Sequence, residues 1–268
     1  MNTLTLFARS QAAARAAVVN QERANVLQSP TEDGVHDLRV ALRRMEQIFE
    51  LFDTEPLAFD VTQAQSIMKT WMRAAGRVRD CDVVMPLLQA PWTNELHRFR
   101  RERADEMLEI LKGPAMPAPK ARPMAQITTE VAQFARVTLP HQAKAYFHAG
   151  ARAARKNHSL GRLHKFRLHG KSLRYSVELF EPAYGPRIAA LQKMLKRTQQ
   201  LLGEMADARA AIKLLKQMNA HEEVLAPLRQ LANEKREAFA VRWVEEIPCE
   251  TVSARWVEYL RRYANPRN

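Results

Sequence analysis

The chain has 268 residues, 46% of them hydrophobic, with eight glycines and 42 Lys and Arg against 29 Asp and Glu, a formal charge of +13. That hydrophobic share buries a core and excludes wholesale disorder. The wealth of Ala, Leu, Arg, Glu and Gln, with no run of alternating β-branched residues, argues against a sheet and predicts an all-α fold. The cationic excess points to a polyanionic partner (nucleic acid, an acidic membrane surface or polyphosphate) without choosing among them.

In chain order, residues 3–28 read as a helix with an Ala-rich stripe, broken by Ser29-Pro30-Thr31-Glu32-Asp33-Gly34, whose cap-type residues start a second helix. The second helix, Val35 to Phe52, ends before Asp53-Thr54-Glu55-Pro56. A third runs from about Val61 through Trp71 to Arg77 and towards Asp82, with bends or breaks expected at Pro86 and Pro91. A fourth, highly charged, covers Trp92 to Lys112, where Arg100-Arg101-Glu102-Arg103 reads as an exposed salt-bridge surface. Gly113 to Pro123 holds four prolines and a glycine in eleven residues, which cannot keep a helix, so it is a connector. The expected division is thus 1–112, connector 113–123 and 124–268.

The second half starts with a long helix from Met124 to about Asn157, bent or divided near Pro140. Leu163 to Phe180 follows, then Arg187 to Leu202, with Gly203-Glu204-Met205-Ala206-Asp207 leading into a separate helix from Ala208 to Asn219. A tail of two helices, about Glu222–Glu246 and Thr251–Tyr263, is split at Pro248, and Trp243 and Trp256 are expected to pack against the body.

Two segments repeat. Val35–Phe52 (VHDLRVALRRMEQIFELF) aligns with Leu163–Phe180 (LHKFRLHGKSLRYSVELF) at an offset of 128 residues: His36 with His164, Arg39 with Arg167, Arg43 with Lys171, and Glu-Leu-Phe with Glu-Leu-Phe. At about 100° per residue, His36, Arg39 and Arg43 fall within roughly 60° of one another on a helix, and His164, Arg167, Lys171 and Arg174 share a similar arc. Gly76-Arg77-Val78-Arg79-Asp80 aligns with Gly203-Glu204-Met205-Ala206-Asp207 at an offset of 127, which also matches Lys69 with Lys196. Two matches in the same order argue for internal duplication. A lone charged stripe is usually a solvated face; repetition on a second element favours a binding role. Lys69 and Arg73, four apart, would extend the first row, and Lys193, Lys196 and Arg197 the second.

The pieces His36-x-x-Arg39-Val40-x-x-Arg43-Arg44, Gly76-x-x-Arg79-Asp80-x-Asp82-Val83 and His164-x-x-Arg167-x-x-x-Lys171-x-x-Arg174-Tyr175-x-x-Glu178 resemble the conserved histidine α-helical domain, or CHAD, family. The resemblance implies two related four-helix bundles about a pseudo-twofold axis, lining a basic central channel, with the C-terminal helices added. It implies binding of inorganic polyphosphate and association with polyphosphate granules. Ala206 stands where Arg79 stands in the first half, and Arg209 where Asp82 stands, so the halves should contribute unequally. No strand-rich region or Glu-x-Glu-x-Lys element of the triphosphate-handling CYTH barrel is present, which reads as a stand-alone CHAD protein.

Arg forks two donors onto a phosphate and Lys supplies a point charge, so cations fixed in rows on helices suit a linear polyanion. A nucleic-acid-binding basic helical protein is the alternative, weakened by the 7% aromatic content and by Tyr175 as the sole aromatic near the rows. An enzyme is disfavoured: there is no Gly-rich phosphate loop, nucleophile motif or carboxylate cluster, so no catalytic residue, metal or cofactor is expected. Asp80, Asp82 and Asp207 are read as caps or arginine partners, and His141/His148 and His164/His169 lack metal-ligand spacing. Cys81 and Cys249 fit no metal pattern and indicate a reducing compartment. With no membrane-length apolar run and no signal-peptide core, a cytoplasmic, granule-associated protein is expected. Dense negative charge favours protonated imidazole, so polyphosphate affinity should rise as the pH falls towards about six through His36 and His164. Equal dissociation constants at pH 6 and pH 8 in matched salt would refute this.

Overall fold

The computed structural model describes residues 3–52, 57, 59–88, 92–121, 127–155, 160–246 and 249–265, and among these every regular element is helical. The α-helices are α1 (Thr3–Gln28), α2 (Glu32–Leu51), α3 (Val61–Val84), α4 (Trp92–Leu111), α5 (Thr129–Ala153), α6 (Leu160–Phe180), α7 (Ile188–Gln217), α8 (Glu222–Glu246) and α9 (Cys249–Arg262). The chain divides into two compact units, Met1–Met124 with Lys213–Asn219, and Ala125–Ile212 with Ala220–Asn268. The last turn of α7 therefore belongs with the first unit.

The first unit is a four-helix bundle in which α1 packs on α2, α2 on α3, α3 on α4, and α4 returns to α1. Small side chains on α1 (Ala8, Ala12, Ala16) are fully covered, and small side chains allow close approach of a neighbouring backbone. The Thr31 hydroxyl caps α2 by accepting from the Gly34 amide at 3.1 Å, and Glu32 and Asp33 in the first turn complement the helix dipole. Asp60 caps α3 in the same way, accepting from the Gln63 amide at 2.8 Å. The core joins Leu38, Leu42 and Met45 of α2 to Met68, Trp71 and Val78 of α3 and to Met107 and Leu111 of α4. α3 runs past Asp82 to Val84, and Pro86 sits in a 3-10 turn, Met85–Leu87. Pro91 and residues 53–56 lie outside the described residues.

The described part of the connector is non-helical and anchored. The Asn20 amide exchanges two hydrogen bonds with the Met116 backbone, 3.0 Å to its carbonyl and 2.8 Å from its N–H. Arg23 donates to the carbonyls of Leu111 (2.6 Å) and Gly113 (2.8 Å), and Met116 is buried. Its last two residues, 122 and 123, lie outside the described residues.

The second unit is built on α5, which packs against α6, α8 and α9. Here the structure departs from the expected elements. α5 begins at Thr129, capped by the Thr128 hydroxyl, rather than at Met124, and Pro140 lies buried inside it without dividing it. α7 is one helix of 30 residues: Gly203 does not interrupt it, because Leu202, Met205, Ala208 and Ala211 hold a continuous buried stripe across that position. That burial outweighs the cost of about 1 kcal/mol for a mid-helix glycine. The tail is part of the core: Phe239 and Trp243 of α8 pack on Phe166 of α6, with Trp243 also against Tyr146 of α5. Tyr259 and Leu260 of α9 are buried, while Trp256 meets Tyr259 edge-on at 5.6 Å. Pro248 lies outside the described residues.

Gly150 of α5 is where this aromatic cluster closes. A Cβ there would run into the Trp243 ring. Gly150→Ala should therefore destabilise the protein by about 1–3 kcal/mol through overpacking, despite alanine's higher helix propensity. Urea unfolding checks this; a midpoint at or above that of the parent would contradict the packing.

Candidate functional site

The repeated segments keep their register in three dimensions. Of the 18 aligned pairs from Val35/Leu163 to Phe52/Phe180, 14 share the same degree of burial, so the likeness extends from sequence to packing. Val35, Leu38, Leu42 and Met45 point inwards on α2, as do Leu163, Phe166, Gly170 and Leu173 on α6. With those stripes buried, helical periodicity sends the cations to the adjoining flank, roughly 100° round each helix. His36 and His164 are exposed; Arg39, Arg43, Arg44, Arg167, Lys171 and Arg174 are half-buried.

In the first unit, α3 completes the cationic face. Lys69, Arg73, Gly76 and Asp80 follow one another at helical spacing along one side of α3. The Arg39 guanidinium crosses from α2 to that side, donating through Nη1 to the Met72 carbonyl at 3.0 Å. It lies over Gly76, where a Cβ would come within 2.8 Å of Nη1. Glycine at 76 thus leaves the notch that Arg39 occupies. Its counterpart Gly203 has open space around its Cβ position, so the second unit lacks this device. Lys69 and Arg73 are exposed and, among the described residues, have no carboxylate partner.

Several predicted cations are already engaged inside the chain. Arg43 pairs with Glu46 at 2.6 Å, Arg79 with Glu32 at 2.8 Å, and Arg174 with Glu178 at 2.9 Å. Arg174 also stacks on Tyr175, its Cζ 4.5 Å from the ring centroid. These pairs offset part of the charge of the rows and orient the side chains that make them. In the second unit Lys193, Lys196 and Arg197 are exposed on α7, and Ala190, Lys193, Met194 and Arg197 line a groove of about 420 Å³.

The acidic members of the Gly76–Val83 motif hold the first bundle together. Asp82 is buried and takes a 2.5 Å ion pair from Arg100 of α4, whose Nη2 also donates to the Pro30 carbonyl at 3.0 Å. One arginine thereby ties α3, α4 and the loop before α2. Arg103 donates to the Arg77 carbonyl (3.3 Å) and the Cys81 thiol (3.4 Å), and its guanidinium lies 5.0 Å from the Phe99 ring. Arg100 and Arg103 are therefore not the exposed surface expected of them: α4's apolar side is narrow, and turning inward satisfies Asp82 and the end of α3. Asp80 is exposed overall, yet the packing around its carboxyl raises its pKa, against the opposing pull of Arg39, Lys213 and Arg103. Burial likewise pushes the Cys81 thiol up, with Arg103 acting against it. Sequence reasoning missed Arg100, Arg103 and Lys213 in this cluster; only the partner across the bundle distinguishes them from surface cations.

Among the described residues no three His, Cys, Asp or Glu side chains converge as a metal site, and no helix is long and apolar enough to cross a membrane.

This is an all-α protein carrying a cationic helix face in each of its two units. The CHAD domain family model matches residues 10–216, and the chain belongs to that family. It is also similar in structure to the CHAD domain from the plant Ricinus communis, with a TM-score of 0.67 at 19% identity, covering 97% of this chain and 93% of that one. No curated protein matches.

Removing the buried anion and an exposed one should separate structural from surface pairing. Asp82→Ala, which leaves the half-buried Arg100 guanidinium with the Pro30 carbonyl but no counter-charge, should cost about 3–5 kcal/mol. Glu32→Ala, which frees an exposed Arg79 pair, should cost about 1 kcal/mol or less. Equal effects in urea unfolding would refute the assignment of Asp82 as the structural lock.

Proposed function

We propose that the protein binds inorganic polyphosphate without catalysis, along the cationic helix faces, and associates with polyphosphate granules in the cytoplasm. The α2–α3 face carries this reading: Lys69 and Arg73 stand open beside Arg39, which Gly76 and the Met72 carbonyl hold in place. Polyphosphate has a negative charge on each phosphate and no base, so a row of fixed cations recognises it and aromatic platforms are superfluous. The second unit offers His164, Arg167, Lys171 and Arg174 on α6 and Lys193, Lys196 and Arg197 on α7. His36, Arg43, Arg44 and Arg79 would contribute in the first unit, Arg43 and Arg79 less strongly because of their carboxylate partners.

Nucleic acid is the weaker reading. Tyr175, the aromatic that the sequence sets beside the rows, is 5% exposed and lies beneath Arg174, so it offers no face to a base. Like charges gathered on one face favour a polyanion that neutralises them, and a ligand that binds only the folded state raises its melting midpoint.

Competition at fixed salt between long-chain polyphosphate, single-stranded DNA, duplex DNA and orthophosphate tests the proposal. Polyphosphate should rank first and raise the melting temperature. Lys69→Gln with Arg73→Gln should weaken it about tenfold at moderate salt and lower the salt slope by about one per cation removed. The triple variant Lys193→Gln, Lys196→Gln, Arg197→Gln should act in the same direction and add to it. DNA displacing polyphosphate at equal charge concentration, or an unchanged affinity in both variants, would overturn the reading.

A further inference from the structure

α9 and the residues after it carry chemistry that a polyphosphate binder does not use. Tyr259, Leu260 and Ala264 anchor this segment in the second unit, and Arg136 of α5 donates to the Ala264 carbonyl. On the outer side, Arg187, Arg255, Glu258, Tyr259, Arg262 and Tyr263 line a groove of about 350 Å³. Tyr259 and Tyr263 are stacked, ring centroids 5.3 Å apart and planes 25° from parallel. The Arg187 guanidinium lies 5.6 Å from the Tyr259 centroid. Tyr263 remains 55% exposed, so the stack ends in an aromatic surface open to solvent.

Three guanidinium groups line this groove against one carboxylate, and Glu258 is already held by Arg261 and by Arg262. The net field is positive. A bare polyanion would use the arginines and ignore the tyrosine plate; an uncharged aromatic would do the reverse. A ligand that is planar at one end and anionic at the other uses both. The volume is at the lower end of the roughly 300–1,000 Å³ of small-molecule sites, which suits one nucleotide rather than a strand. Arginine and tyrosine side by side also supply the two contacts, charge and stacking, by which nucleotides are held without base-specific hydrogen bonds. α9 lies beyond residues 10–216, outside the part that matches the family pattern.

We propose that this groove binds a free nucleoside phosphate, its base stacked on Tyr263 and its phosphates met by Arg187 and Arg255. The groove shares no residue with the α2–α3 and α6–α7 faces and stands or falls independently of the polyphosphate reading.

The test uses the full chain and calorimetric titration with ATP, with tripolyphosphate and adenosine as the charge-only and base-only controls. Measurements are repeated in the Lys69→Gln, Arg73→Gln, Lys193→Gln, Lys196→Gln, Arg197→Gln background to silence the other cationic faces. ATP should bind one to one, at least about tenfold more tightly than either control. Tyr263→Ala and Arg255→Ala should each weaken it about fivefold or more, while Tyr263→Phe, which keeps the ring, should retain it. Polyphosphate affinity of the otherwise parental chain should be untouched by Tyr263→Ala. The proposal is overturned if tripolyphosphate equals ATP, if Tyr263→Ala binds ATP as well as the parent, or if single-stranded oligoadenylate binds more tightly than ATP. Circular dichroism of the variants establishes that each is folded.

Discussion

Burial of one stripe on α2 and one on α6 determines where their cations stand. An α-helix has no freedom to rearrange its side-chain directions once one face is packed. When Leu38, Leu42 and Met45 enter the first core, His36, Arg39 and Arg43 must emerge together; when Phe166, Gly170 and Leu173 enter the second, His164, Arg167 and Lys171 do the same. A flexible loop could carry as much charge, but it would lose conformational entropy whenever it gathered that charge along a polyanion. The bundle meets that cost in folding, which is why its apolar side matters to its cationic one.

The two units use this constraint unequally. In the first, Gly76 opens a notch on α3, and Arg39 fills it, so cations from two helices lie side by side. Asp82 and Arg100 fix α3 against α4 and the loop that caps α2, and Asp80 sits among Arg39, Lys213 and Arg103. In the second, Gly203 has nothing to receive, Ala206 replaces Arg79, and aromatic packing of Tyr146, Phe166, Phe239 and Trp243 takes over the role of holding helices together. The two repeated segments thus share an amphipathic plan while the devices that lock each in place differ. Tyr146 shows the consequence of that apolar setting: burial pushes its hydroxyl pKa well up, since ionisation within such a cluster would strand a charge away from water.

The cationic faces are not simple counts of lysine and arginine. Arg43, Arg79 and Arg174 give part of their charge to Glu46, Glu32 and Glu178, whereas Lys69, Arg73, Lys193, Lys196 and Arg197 stay exposed. The former gain orientation, the latter keep reach. In the proposed polyphosphate reading, a long flexible anion would be served by both, some contacts setting its path and others following its fluctuations.

Period and composition alone established an all-helical chain, the limits of α1, α2, α4 and α8 to within a few residues, and the rows of side chains that share an arc, while the family came from the resemblance of its motifs. These are local properties: apolar spacing, caps and breakers act within a few turns. Tertiary structure decided which residues of a charged run face inward, as with Arg100 and Arg103 against Arg101, and which glycine is a notch and which merely a residue in a long helix. It also decided that α7 is unbroken and which helices receive the tail, whose packing through Trp243 the sequence itself predicts. Each depends on a partner far away in sequence, such as Asp82 for Arg100, Arg39 for Gly76 and Trp243 for Gly150, and a helical period specifies a side chain's direction without specifying what stands opposite it.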